Sequence, residues 1–212
     1  PFVGVMKGQV LRRFPAARLV DLTHEILVHW PAEAGFWLGR SFAYFPPGTV
    51  HVAVVDPGVG SSRDIAVVEA DGQLFLAPDN GLLTGVLERL AATPILRRLE
   101  DGVLTELGIH RPSATFHGRD IFAPVAVELA GREQAVAAVW REVLGLDRVG
   151  RHDNFFDLGG HSLKTVQVRS RLERRLGVEV PLRLLFDHPT VAAQALATGE
   201  LRTQARHGAI PR

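Results

Sequence analysis

An α/β N-terminal domain with a mostly parallel sheet, followed by an all-α four-helix bundle, is the architecture that the sequence predicts. Up to about residue 130, short runs of β-branched residues alternate with segments of helical spacing, the pattern of an α/β layer. Beyond that point apolar residues recur only at helical intervals. The chain has 212 residues, 46% of them hydrophobic, which is enough for two small cores. The expected boundaries are residues 1–130 for the first domain, 131–201 for the second and 202–212 for a disordered tail.

In the first domain, Arg18 to Asp21 (RLVD) reads as a short buried strand ending in Asp21-Leu22-Thr23-His24, and Pro31 to Phe42 as a partly amphipathic helix. Phe45-Pro46-Pro47-Gly48 is turn punctuation. Thr49 to Val55 (TVHVAVV) follows as a β-branched strand that breaks at Asp56-Pro57-Gly58. Ile65 to Glu69 and Gln73 to Leu76 flank Asp71-Gly72, a two-residue hairpin signal. Gly81 to Leu90 returns to helical spacing through Leu82, Leu83, Val86, Leu87 and Leu90. After Thr115-Phe116-His117-Gly118-Arg119-Asp120, the apolar residues Ile121, Phe122, Val125 and Leu129 step along a helix, with Asp120 placed to cap or favour its first turn.

The junction, Glu128 to Gln134, lacks a Pro/Ser-rich linker and is open to being one continuous helix, which Gly131 would weaken. Val136, Val139, Trp140, Val143 and Leu144 then mark an amphipathic first helix of the second domain, ended by Gly145. Val168, Leu172 and Leu176 line one face of a second helix that Gly177 stops. Pro181 to Phe186 fits a short third helix, and Thr190 can cap a fourth that runs through Leu201. Trp140, Phe155 and Phe186 are expected to fill the small core.

Composition excludes several classes of function. The net charge is +1, and the positive charge is nearly all arginine, since Lys7 and Lys164 are the only lysines. Arg171, Arg174 and Arg175 are interleaved with Glu173 and accompanied by no aromatic-basic stripe, so they read as a solvated helix face and not as a nucleic-acid surface. The absence of cysteine excludes disulfides, thiolate metal sites and a cysteine nucleophile, and fits a reducing, cytoplasmic compartment. No apolar run is long enough to span a membrane. The opening Pro1-Phe2-Val3-Gly4 has neither an initiator methionine nor the features of a signal peptide, and reads as a fragment that begins upstream.

Asp153 to Leu163 (DNFFDLGGHSL) places one hydroxyl, Ser162, where a turn becomes a helix. Gly159 and Gly160 allow positive φ and close approach to the backbone. A helix start offers free N–H groups and the positive end of the dipole, a favourable seat for a phosphate ester. Taken alone, Gly-Gly-His-Ser reads more readily as a loop with a serine N-cap. The apolar Phe155, Phe156 and Leu158 inside the loop argue for more than a solvated turn. Lys164 stands where a G-x-S-x-G hydrolase motif needs its second glycine.

This stretch, with VPLRLLFDHPTVAAQA downstream, resembles the peptidyl carrier (thiolation) domains of nonribosomal peptide synthetases, over roughly Glu133 to Leu201. The resemblance implies that Ser162 carries 4′-phosphopantetheine and tethers acyl or aminoacyl groups as thioesters. It also implies a phosphopantetheinyl transferase and the adenylation and condensation domains of a synthetase as partners. His161 is closer to peptidyl carriers than to fatty-acid carriers, which usually have aspartate there.

A second resemblance rests on VGVMKG (Val3 to Gly8), VDLTHEI (Val20 to Ile26), TVHVAVVDPGVGSSR (Thr49 to Arg63), APDNGLLT (Ala77 to Thr84) and TFHGRDIFAPVAVELA (Thr115 to Ala130). These phrases are similar to the N-terminal domain of S-adenosylmethionine hydroxide adenosyltransferases, relatives of the fluorinating and chlorinating enzymes. The family displaces methionine from S-adenosylmethionine at C5′. Methionine leaves as a neutral thioether, so the chemistry needs only a water held in line and deprotonated.

The resemblance assigns that work to Asp56, Arg63 and His117. Arg63 would stabilise hydroxide character, Asp56 would orient Arg63 and the water, and His117 would take or relay the proton. Trp30, Thr115 and Phe116 would line a partial S-adenosylmethionine pocket. Water is expected over halide, since a carboxylate at Asp56 would repel a bare anion a few ångströms away by about 4 kcal/mol at an effective dielectric near 20, whereas water can donate a hydrogen bond to it. The family's first strand, with a Thr-Asp-Phe-Gly turn, would lie before Pro1. Its C-terminal β domain, which completes the pocket across a homotrimer interface, is replaced by the carrier.

The leading expectation is therefore a carrier of nonribosomal peptide biosynthesis fused to an adenosyltransferase-like domain. The alternative is an enzyme that hydrolyses S-adenosylmethionine to adenosine and methionine, with the carrier as a localising module. A third reading makes the α/β half an inactive remnant or the whole chain an assembly artefact.

Overall fold

A computed structural model of the chain describes residues 1–99, 101–195 and 197–198. It divides into two compact units, Pro1–Glu128 and Leu129–Arg212. The expected tail at 202–212 and the end of the fourth helix lie outside the described residues. No helix among the described residues is long and apolar enough to cross a membrane.

The first unit contains α1 (Phe2–Arg13), α2 (Pro31–Ser41), β1 (Val50–Val52), β2 (Ile65–Ala70), β3 (Gln73–Pro78), α3 (Thr84–Leu87), β4 (Ile95–Arg98) and α4 (Asp101–Glu106). The strands form one sheet in the order β1-β3-β2-β4. It is mixed, which corrects the expectation of a mostly parallel sheet. Only β1 and β3 run parallel; β2 is antiparallel to both β3 and β4. The reason is local: Asp71 (φ 48°) and Gly72 (φ 74°) both take positive φ, the geometry of a tight hairpin turn that forces its two strands antiparallel.

Other elements also differ from the expectation. Arg18 to Asp21 is exposed and joins no sheet, with Val20 69% accessible, because no strand among the described residues stands beside it to complete a ladder. The helix expected over Gly81 to Leu90 shrinks to Thr84–Leu87, preceded by Gly81 at φ 86°. Strand β4 and helix α4 were not foreseen.

Ala34, Leu38 and Phe42 pack with Val68, Phe75, Ala77, Leu82, Leu83 and Val86 to make the core of this unit. Helix α2 reaches α3 through glycines: a Cβ on Gly35 or Gly39 would strike the carbonyl of Leu82 or Gly85. His51 lies in the same region, stacked on Phe75 at 4.9 Å and bonded through Nε2 to Gln73 Oε1. Because the Gln73 amide nitrogen donates to the carbonyls of Phe42 and Phe45, its oxygen must accept from the imidazole.

Burial holds the pKa of His51 below its ordinary value of 6.5, against the raising effect of Gln73. A depressed histidine contributes stability that is full above the unfolded pKa and is lost as pH falls through the folded one. Thermal unfolding of this unit should therefore move to lower temperature below pH 6.5. His51→Phe should flatten that slope.

The π-helical turn Gly118–Phe122 leads into α5 (Ala123–Leu144), which continues from the first unit into the second and keeps Gly131 in its interior. Pro124 explains the π turn, since it offers no N–H and its ring crowds the carbonyl one turn earlier.

The second unit adds α6 (Ser162–Leu176), α7 (Leu182–Asp187) and helical residues at 191–195 and 197–198. Gly177 closes α6 at φ 66°. Thr190 Oγ accepts from the Ala193 amide at 3.2 Å. Val136, Val139, Trp140, Phe155, Val168, Leu172, Val180, Leu185, Val191 and Ala195 form the core. Phe186 is not part of it: 43% exposed, it stacks on Phe156 at 5.6 Å. The arginine-rich face of α6 is ion-paired at its surface, with Arg169 on Glu173 and Arg175 on Glu142.

Candidate functional site

Ser162 is exposed and opens α6 as its first residue, with His161 at the N-cap in an extended conformation. No side-chain hydrogen bond caps the helix, so the hydroxyl is not spent on capping. The first intrahelical amide is that of Thr165, bonded to the His161 carbonyl at 2.9 Å. The N–H groups of Ser162, Leu163 and Lys164 therefore have no intrahelical acceptor.

The loop before Ser162 is fixed from beneath. Asn154 Oδ1 accepts from the Phe156 amide at 2.9 Å, the Phe155 amide donates to Pro189, and the Gly160 amide donates to the Phe155 carbonyl. Gly159 sits at φ 88°. At Gly160 a Cβ would strike the Phe155 ring and carbonyl. Phe155 is itself buried against Trp140, with ring centroids 4.9 Å apart. The core thus sets the height at which Ser162 emerges. Leu163 and Val166 of the same helix, and Phe186 of α7, are exposed.

In the first unit, the Arg63 guanidinium forks onto Asp56. Nε donates to Oδ1 at 2.6 Å and Nη2 donates to Oδ2. Nη2 also meets His117 Nδ1 at 3.2 Å, and Nη1 donates to the Asp64 carbonyl at 3.2 Å. The pair is buried, with the Arg63 side chain 10% and the Asp56 side chain 5% exposed. Burial and the neighbouring Arg63 charge hold the His117 pKa low, against the raising influence of Asp56 and Asp120. Because the Arg63 guanidinium pairs with Asp56, the repulsion of an anion by that carboxylate is weaker than expected.

The side chains of the remaining candidates share no hydrogen bond or ring contact with this set among the described residues, although Thr115 and Phe116 directly precede His117 in the chain. Trp30 is half exposed at the N-cap of α2, and no ring contact or hydrogen bond among the described residues joins it to Asp56, Arg63 or His117. Thr115 is exposed and shares a hydroxyl hydrogen bond with Ser113 at 3.2 Å. Phe116 meets Phe2 edge-on at 4.9 Å and lies under the Arg119 guanidinium.

Two supporting residues, Asn80 and Gly60, escaped the reading of the sequence, and a third, Asp120, has a further role. Asn80 ties the loops together by donating to the Val55 carbonyl at 2.9 Å, next to Asp56. Gly60 (φ 80°) lies so close to Ala114 that a Cβ would strike its carbonyl, which brings the Asp56–Arg63 loop against the segment leading to His117. Asp120 is not the N-cap but lies in the first turn, the other expected placement, and it accepts from the Ser113 amide at 2.8 Å and from Arg119. The glycine and asparagine stood inside quoted phrases, but only their tertiary neighbours give them these roles.

Two family models match the chain: the SAM hydroxide adenosyltransferase N-terminal domain over residues 1–138, and the phosphopantetheine attachment site over residues 134–197. A (R)-S-adenosyl-L-methionine hydrolase of Methanocaldococcus jannaschii is 39% identical over 133 residues, covering 60% of this chain and 48% of that protein. The chain spans about half the length of the curated hydrolases it matches. The crystal structure of an uncharacterized conserved protein from Thermotoga maritima superposes with a TM-score of 0.56 at 44% identity, over 61% of this chain and 49% of that one. Surfactin synthase subunit 3 of Bacillus subtilis is 50% identical over 60 residues, 28% of this chain and 5% of that protein. The chain belongs to the SAM hydroxide adenosyltransferase N-terminal domain family, and a phosphopantetheine carrier domain of nonribosomal peptide synthetase type follows in the same sequence.

Proposed function

We propose that the chain acts as a phosphopantetheine-dependent carrier of nonribosomal peptide biosynthesis, with Ser162 as the attachment residue. The observation that carries this reading is the exposed, uncommitted hydroxyl at the first position of α6, beside amides without intrahelical acceptors. These residues fit the group: Ser162 would bear it, and the free N–H groups of the first turn suit a phosphodiester. When bound, the group supplies a thiol that holds an acyl or aminoacyl unit as a thioester. Gly160 lets the loop settle on the Phe155 ring, and Gly159, with open space beyond its α-carbon, takes the positive φ that the turn before Ser162 needs. Leu163, Val166 and Phe186 offer apolar footing to a phosphopantetheinyl transferase and to adenylation and condensation domains. Incubation with a broad-specificity transferase and coenzyme A should add one phosphopantetheine to the intact protein, and Ser162→Ala should add none. An unchanged wild-type mass, or an equal gain in the variant, would refute the proposal.

A second reading is favoured by one observation, the hydrogen-bonded Asp56–Arg63–His117 chain. In it, the first unit hydrolyses S-adenosylmethionine to adenosine and methionine, and the carrier localises it. Adenosine release that disappears in His117→Ala supports this reading. A folded protein that releases none counts against it.

A further inference from the structure

An imidazole can act as a base only if the nitrogen that is to accept a proton has its lone pair free. At His117 the Nδ1 lone pair is taken. Arg63 carries only donors and stays protonated, so its Nη2, 3.2 Å from His117 Nδ1, makes that nitrogen the acceptor. Arg63 is not free to turn away: Asp56 holds it in a fork, the Asp64 carbonyl holds Nη1, and its guanidinium lies 5.8 Å over the Phe122 ring. A neutral imidazole has one N–H, and with Nδ1 accepting, that proton is on Nε2. His117 is partly exposed, and its Nε2 has no hydrogen-bond partner among the described residues. The charged groups that face the ring are Arg63, Asp56 and Asp120.

We infer that His117 is a neutral hydrogen-bond donor, presenting Nε2–H to an oxygen nucleophile, and is not the proton acceptor of the site; the proton that the attacking water sheds as the C5′–O bond forms and the C5′–S bond breaks passes to solvent. This inference rests on the S-adenosylmethionine hydrolysis reading for its substrate, but the ring's tautomer is independent of that reading. It differs from the division of labour that the resemblance implied, in which His117 takes or relays the proton. It also gives Arg63 a second task, which is to fix the tautomer.

The test has two arms. In the first, the full chain is labelled with nitrogen-15 at histidine, and the His117 signals are identified by their loss in His117→Gln. At neutral pH the ring should show a protonated Nε2 and an unprotonated Nδ1; a Nδ1–H tautomer, or an imidazolium, would overturn the inference. This arm needs no activity and no folded variant beyond the assignment.

The second arm compares adenosine release by wild type, His117→Gln and His117→Ala. Glutamine carries an N–H to about the place of Nε2 but takes up no proton. A donor role predicts a loss of no more than about tenfold in His117→Gln and of about a hundredfold or more in His117→Ala. A base role costs roughly 10²–10⁴-fold in both, so equal losses would overturn the inference. A wild type that releases no adenosine refutes the hydrolysis reading and leaves the first arm to decide the tautomer.

Discussion

Trp140→Ala is expected to unfold the second unit. Trp140 is fully buried, edge-on to Phe155, and its Nε1–H donates to Gln194 Oε1 at 3.0 Å. Truncating a buried tryptophan costs about 3–5 kcal/mol from the cavity it leaves, and orphaning the buried Gln194 oxygen costs about 1–3 kcal/mol more. A single core in a unit this small supplies only about 3–5 kcal/mol in total. Hydrogen exchange along α6 should lose its protection, while strands β2 and β3 of the first unit keep theirs. Trp140→Phe should be milder, since it retains most of the volume and forfeits chiefly the hydrogen bond. Unchanged protection of α6 in Trp140→Ala would show that the core does not depend on this side chain.

Asp56→Ala should be the most damaging polar substitution in the first unit. It leaves the Arg63 guanidinium, 10% exposed, without its counterion. Breaking a buried pair from one side costs about 3–5 kcal/mol, whereas replacing both partners with apolar residues is often close to neutral. Denaturant unfolding should therefore show a large loss for Asp56→Ala and a substantial recovery when Arg63→Met is added. A shift below about 1 kcal/mol in the single variant would mean that water already solvates Arg63.

The local structure was legible where a residue's own chemistry dictates it. Asp71-Gly72 announced a hairpin, Gly177 a helix stop and Thr190 a cap, and each sits in the expected geometry. What failed was long-range. A mostly parallel sheet follows from alternating elements, yet the hairpin itself contradicts it for β2 and β3. Strand β4, ILRR, carries two arginines and exposes Ile95 and Leu96, so neither alternation nor a continuous apolar run marks it. Arg18 to Asp21 has strand composition but no neighbour to bond.

The two sites were legible to different degrees. Ser162 stands in one continuous motif whose glycines and aromatic residues explain one another. Asp56 and Arg63 are seven residues apart, and His117 is a further 54 from Arg63, so no spacing rule links them and only the resemblance suggested the set. The hydrogen bond from Arg63 to Nδ1 was beyond any sequence reading, because it depends on how Gly60 and Ala114 bring two loops together.

The most direct measurement is to locate the modification. After treatment with transferase and coenzyme A, trypsin cuts at Arg151 and Lys164 and releases HDNFFDLGGHSLK, residues 152–164. Fragmentation of that peptide should place the whole added group on Ser162. An unmodified peptide, or a group found on any other residue of the chain, would contradict the account.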